Sequence, residues 1–138
     1  MYIYKHLVQF YETDLMGIVH HANYLRFFEE ARVGWAHHHG ILDYQKPESA
    51  AYFAVLETQV RHLRPAKFGD KLEVHTQAKN EKAKFLFEYK LFRGNELLAE
   101  CRTVHVSLDK ELKIIKPPTE LKNTMEKTPW IETWLLSL

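Results

Sequence analysis

One segment of this chain, and no other of its length, carries the period of a long helix. From Ala22 to about His39 the apolar residues Tyr24, Phe28, Ala31 and Trp35 recur at steps of three and four, and Leu25 and Phe27 widen the stripe. Arg26, Glu29, Glu30 and Arg32 fill much of the opposite face, with Glu29 and Arg32 spaced to pair at i, i+3. Such a helix would span roughly 27 Å. Gly40 is a stop signal, and His37, His38 and His39 stand where cations suit the helix dipole.

The remainder reads as strands. Residues 3–11 form a first strand ahead of the helix. Residues 51–63 follow it, rich in Tyr, Phe, Val and Leu and ended by Pro65 and Gly69-Asp70. Residues 71–79 put Leu72, Val74, Thr76 and Ala78 on one face, and residues 84–92 do the same with Phe85, Phe87, Tyr89 and Leu91. Arg93-Gly94-Asn95 is a turn, and residues 96–108 continue as a long strand. Strands in meander-like order must cover an apolar face, and the helix is the one large partner on offer. The expected class is α+β, an antiparallel sheet wrapped around one long central helix. It forms a single domain over 1–138, with a core of about 3–119 and a helical tail of about 120–138.

Composition narrows the function. The chain has 138 residues, 46% hydrophobic and 27% charged, with a formal net charge of +1. That balance argues against a nucleic-acid partner. A lone cysteine, Cys101, forms no intramolecular disulfide and fits a reducing compartment. The first residues lack the apolar core of a signal peptide, and no stretch of about 20 apolar residues could span a bilayer. These features point to the cytoplasm and weigh against membrane association.

The chemistry concentrates just ahead of the helix, in Tyr11-Glu12-Thr13-Asp14-Leu15-Met16-Gly17-Ile18-Val19-His20-His21-Ala22-Asn23-Tyr24. An acidic residue sits in a glycine-containing turn that feeds directly into the helix. A carboxylate is thereby placed beside backbone N–H groups that the helix itself leaves unpaired. Such a pair can polarise a carbonyl and attack it in one place. Taken alone, Asp14 also reads as a turn or helix-entry residue. Five histidines, His20, His21, His37, His38 and His39, suggest a metal, but they fall at opposite ends of the helix, so no metal site is expected.

This stretch resembles the signature of the 4-hydroxybenzoyl-CoA thioesterase family of hot-dog-fold proteins, and within it the bacterial acyl-CoA thioester hydrolases of the Tol-Pal-associated subgroup. The matching residues are Thr13-Asp14-x-x-Gly17-Ile18-Val19, His21-Ala22-Asn23-Tyr24, Glu29-x-Ala31-Arg32 and Arg64-Pro65-Ala66-x-Phe68-Gly69-Asp70. The resemblance implies a hot-dog fold, active sites at a subunit interface, and a homodimer or a homotetramer of two dimers. It implies an acyl-CoA or acyl-carrier thioester as substrate, with no cofactor beyond the coenzyme A of the substrate. Asp14 would act as nucleophile or general base, and the helix start at His21 would polarise the carbonyl. Gly17, Ile18, Val19 and Tyr24 would border the acyl group, and Asn23 would tie the loop to the helix start. Lys82 and Lys84, at the turn between the third and fourth strands, are the candidate contacts for the coenzyme A phosphates, with Arg61 and Arg64 as other basic neighbours. A thioester needs no strong general acid, because its thiolate leaves with a conjugate-acid pKa of about 8.5. A hot-dog dehydratase and a non-catalytic module that holds an acyl thioester are the alternatives.

The tail departs from this pattern. Pro117-Pro118 ends the strands, and Thr128-Pro129 reads as the cap and first turn of a helix bearing Trp130, Ile131, Trp134, Leu135 and Leu138. That apolar set is expected to pack on the outer face of the sheet or on another subunit.

Overall fold

A computed structural model of the chain describes residues 1–46 and 52–138. Its elements, in order, are β1 (Tyr2–Leu7), a single 3-10 turn at Phe10–Glu12, α1 (His21–His38), β2 (Tyr52–His62), β3 (Lys71–Glu81), β4 (Lys84–Arg93), β5 (Glu96–Leu108), β6 (Ile114–Ile115) and α2 (Thr119–Lys127). Residue 51, where the second strand was expected to begin, lies outside the described residues.

The strands pair antiparallel in the order β1-β3-β4-β5-β2, and the short β6 lies beside β5. Tight turns join β3 to β4 and β4 to β5, with left-handed backbone at Lys82 and Gly94, so these three strands are sequence neighbours in the sheet. The expected meander stops there. β2 does not pair with β3 but crosses to the far side of β5 through residues 63–70, and β1 takes the edge beside β3.

The alternation read from β3 and β4 is the packing of the molecule. Leu72, Val74, Ala78, Phe85, Phe87, Tyr89 and Leu91 form one buried face with Ala99 and Cys101 of β5. α1 lays Phe27, Phe28, Ala31 and Trp35 on that face. Phe28 meets Tyr89 with ring centres 5.1 Å apart, and Trp35 meets Phe87 edge-on at 5.3 Å. The helix also comes very close to β1. A Cβ on Gly34 would run into the Tyr2 hydroxyl, which accounts for a glycine inside this helix.

Two expectations shift. The first strand ends at Leu7, not at residue 11, because Glu12 folds back to accept hydrogen bonds from Gln9 N–H (2.7 Å) and from the His6 ring (2.8 Å), which closes the 3-10 turn. The tail helix lies earlier than expected. It spans Thr119–Lys127, with Leu121 and Met125 buried at i, i+4. Thr128 ends it with ψ at 140°, the extended conformation that a following proline favours, so Pro129 terminates a helix instead of starting one.

Residues 129–138 then cross the outer face of the sheet as an irregular strap. The Gln77 side chain exchanges hydrogen bonds with the backbone of Ile131 (2.9 and 3.1 Å), and Trp130 lies over Lys79. The fully buried Glu100 carboxylate accepts the N–H groups of Leu136 and Ser137 and lies 3.6 Å from Lys90 Nζ.

A buried imidazole makes stability depend on pH. Burial, and then the Arg32 charge, push His105 down to about 3 from its ordinary 6.5. Between those values the unfolded chain holds a proton that the folded chain lacks. Stability at this position should therefore be complete above pH 6.5 and fall as the pH drops towards 3, by at most about 1.4 kcal/mol per pH unit. Urea unfolding of wild type and His105→Phe between pH 4.5 and 7.5 checks this. The variant should lose about one proton's worth of slope and keep the smaller same-sign contributions of His39 and His62, both of which are lowered.

Candidate active site

The turn that carries Asp14 is built by its own backbone. Asp14 N–H donates to Ile18 O (2.9 Å) and Gly17 N–H to Asp14 O (3.0 Å), while Asp14 Oδ1 accepts Met16 N–H (2.8 Å). Gly17 has φ of +78°, a conformation costly for any residue with a Cβ. Thr13 pairs with Val19 and Ile18 with Lys67, and Val19 N–H reaches Ala66 O at 2.8 Å, so the loop is stitched to the 66–67 segment. One oxygen of Asp14 is thus anchored. Its Oδ2 has no hydrogen-bond partner among the described residues.

The helix start is fixed beside this turn. His20 is the N-cap, and its Nδ1 accepts Ala22 N–H at 3.1 Å. Asn23 N–H returns to His20 O. The Asn23 side-chain amide donates to Glu12 O (2.8 Å), which also accepts His20 N–H (2.9 Å). Of the first N–H groups of α1, that of His21 is left without a partner among the described residues. This is the group that sequence reasoning singled out as a carbonyl polariser. The buried Tyr24 points its hydroxyl at the 66 segment and accepts Ala66 N–H at 3.0 Å. The resulting cleft, about 370 Å³, is bordered by Asp14, Ile18, Val19, His21, Tyr24 and His62, with Arg64 at its edge.

Asp14, Ile18, Val19, His21 and Tyr24 therefore line one cleft, and Gly17 shapes the turn between them. Lys82 and Lys84 do not. They lie at the far end of β3, whose ten steps from Lys71 to Glu81 cover about 33 Å. Of the basic residues weighed, Arg64 is the one in the cleft of the same chain. Sequence reasoning missed His62, the last residue of β2, whose ring meets Tyr24 edge-on at 4.8 Å. Burial, and then the neighbouring His21, hold His62 below the ordinary imidazole range. Its only signal was a place near the end of a strand two residues ahead of Arg64. Glu29 and Arg32 do pair, at 3.6 Å, further along α1 and outside this cleft.

The thioesterase-like superfamily matches residues 8–135 of the chain. The chain belongs to that superfamily. Among its relatives, the acyl-CoA thioesterase YbgC of Haemophilus influenzae is 31% identical over 121 residues, covering 83% of this chain and 87% of that protein. The acyl-CoA thioester hydrolase YbgC of Escherichia coli is 30% identical over 104 residues, covering 74% of this chain and 78% of that protein. The hypothetical protein TT1821 of Thermus thermophilus superposes with a TM-score of 0.82 at 30% identity, covering 91% of this chain and 98% of that one. The thioesterase-like superfamily places the fold among the hot-dog proteins and makes thioester hydrolysis the reaction class of this enzyme. Among the described residues no helix is long and apolar enough to cross a membrane.

Tyr24 joins the helix to the 66 segment through one buried hydrogen bond. Tyr24→Phe should leave the Ala66 N–H unsatisfied and destabilise the fold by about 1–3 kcal/mol, read from the urea midpoint. The far-ultraviolet spectrum should stay unchanged.

Proposed function

We propose that the chain hydrolyses acyl-CoA thioesters to the free acid and coenzyme A at the Asp14 cleft. The observation that carries this reading is the juxtaposition of a half-anchored carboxylate with the unpaired N–H of His21 at a helix N-terminus. The carbonyl oxygen of the thioester accepts the His21 N–H, where the positive end of the helix dipole favours the growing negative charge. In one route an Asp14 oxygen attacks the carbonyl carbon, the C–S bond breaks and the thiolate leaves, and water then cleaves the mixed anhydride. In the other, Asp14 takes a proton from a water whose oxygen attacks the carbonyl carbon, and the tetrahedral intermediate collapses with C–S cleavage and loss of the thiolate. Gly17, Ile18, Val19 and Tyr24 border the acyl group, and the His21 side chain orients it. Coenzyme A is the substrate's own carrier, and the reaction needs no further cofactor.

The functional unit in this reading is a cytoplasmic homodimer or a homotetramer built from it. Among the described residues β2 pairs only with β5, and Phe53, Val55 and Leu56 on it are exposed. An edge that long and apolar invites a second copy. Antiparallel pairing of two β2 strands about a two-fold axis would set the Phe53 end of one copy against the His62 end of the other. Lys84 lies at the Phe53 end, since Lys84 and Phe53 pair with adjacent residues of β5. Lys82 and Lys84 would then serve the partner's cleft, where they meet the coenzyme A phosphates.

Thiol release from a panel of acyl-CoAs tests the reading. Asp14→Asn keeps the turn's shape and should lower kcat by about 100-fold or more, with the oligomeric state unchanged by light scattering. Binding of acyl-CoA without turnover of any thioester would instead make the chain a binding module.

A further inference from the structure

A second cavity, about 250 Å³, opens between α1, the sheet and α2, and it is not part of the Asp14 cleft. Its helix wall runs from Glu29 to Ala36, about 12 to 22 Å along α1 from His21. Trp35, Phe53, Phe85, Phe87 and Leu121 make it largely apolar, and one buried polar ring, that of His105, lines it. The volume is below the roughly 300–1,000 Å³ of drug-sized pockets, which suits a single ring-sized group.

The hydrogen bonds behind His105 favour one tautomer, because it leaves the fewest buried donors without an acceptor. Arg32 can only donate, and its Nη1 donates to the Tyr89 hydroxyl (3.3 Å). Among the described residues the one acceptor left for the Tyr89 proton is Thr103 Oγ1, at 2.8 Å. The Thr103 proton then goes to His105 Nε2, at 2.7 Å. Reversing the order would leave the proton of the fully buried Tyr89 hydroxyl without an acceptor, which costs more than the ordered chain. His105 is neutral, because burial and the Arg32 charge oppose its protonation. With Nε2 accepting, its single proton sits on Nδ1, and Nδ1 has no partner among the described residues.

We propose that this cavity binds a ring-sized apolar group bearing a hydrogen-bond acceptor oxygen, which the Nδ1–H of His105 recognises. The ring of the guest lies among Phe53, Phe85 and Phe87, and its oxygen ends the chain of donors that starts at Arg32. That the guest is the acyl group of a thioester held in the partner's cleft, which the dimer proposed above sets against the Phe53 end, rests on that reading; the chemistry of the cavity does not.

Anisole and ethylbenzene, similar in shape, differ by the acceptor oxygen, and they probe the cavity without any turnover. In wild type, imidazole ¹⁵N spectra should show His105 protonated at Nδ1, and anisole should bind about tenfold more tightly than ethylbenzene, one net hydrogen bond's worth. His105→Phe should bring the two affinities together, and Thr103→Val, which keeps the imidazole but cuts the relay, should shrink the difference. An Nε2–H tautomer, equal affinities, or binding of neither probe in wild type would overturn the proposal. Turnover of 4-methoxybenzoyl-CoA and 4-ethylbenzoyl-CoA separates the two readings. A preference for the former that His105→Phe removes seats the acyl group here. Turnover without any anisole preference defeats the cavity proposal alone. An anisole preference without turnover of any thioester defeats the hydrolase reading and leaves the cavity proposal standing.

Discussion

The carbonyl oxygen of Glu12 accepts two hydrogen bonds, from His20 N–H and from the Asn23 side chain, and through them fastens the Asp14 turn to the first turn of α1. The same residue's carboxylate is held by Gln9 N–H and the His6 ring, and His6 packs on Phe27 with ring centres 4.4 Å apart. The loop is thus clamped from its backbone and from its side chain, on both sides to elements of the core. A carboxylate that must stand near a helix N-terminus cannot rely on a free surface loop, because a displacement of about 1 Å costs much of the benefit of orientation. Here the position of Asp14 is inherited from the packing of α1 on the sheet.

That packing was legible because the inward residues of β3 and β4 alternate without interruption and the helix is amphipathic over its whole length. The turn chemistry was legible too, since Gly17 adopts the left-handed backbone that the Asp14 turn requires. What could not be read depends on contacts distant in sequence. β2 sits beside β5 because β3, β4 and β5 are already paired through short turns, a competition invisible within β2 itself. His62 enters the site only through that crossing. The tail helix was misplaced by one local rule overriding another. Thr128-Pro129 has the composition of a helix start, but the preceding turn already buried Leu121 and Met125, and the residue before a proline leaves the helical region.

The two faces of the sheet are finished differently. Outside, Gln77, Glu88 and Arg102 form a row across β3, β4 and β5, with Glu88 buried and bonded to both neighbours, and the strap from Ile131 to Ser137 supplies the remaining donors. Buried carboxylates are tolerable there only because each is satisfied by several partners. Trp130 and Trp134 lie over Lys79 and Lys90, so the strap also covers the apolar stems of the lysines. The chain's own terminus occupies the outer face. The β2 edge, by contrast, is bare, its described residues exposed almost throughout.

α1 links these requirements. Its buried face holds Phe27, Phe28, Ala31 and Trp35 against the sheet, and its start leaves the His21 N–H without a partner among the described residues. Arg32 lies between those demands, half-buried, paired to Glu29 at the rim and donating inward to Tyr89. A guanidinium at that position can only donate to the Tyr89 hydroxyl, because it offers no acceptor. A lysine would donate as well, but from a flexible point charge that fixes no plane. Electrostatic order in this fold therefore runs from the helix in two directions. At the helix start an unpaired N–H faces the Asp14 cleft. Half-way along, one cation donates to the Tyr89 hydroxyl, which is hydrogen-bonded to Thr103, and Thr103 in turn to the buried imidazole of His105.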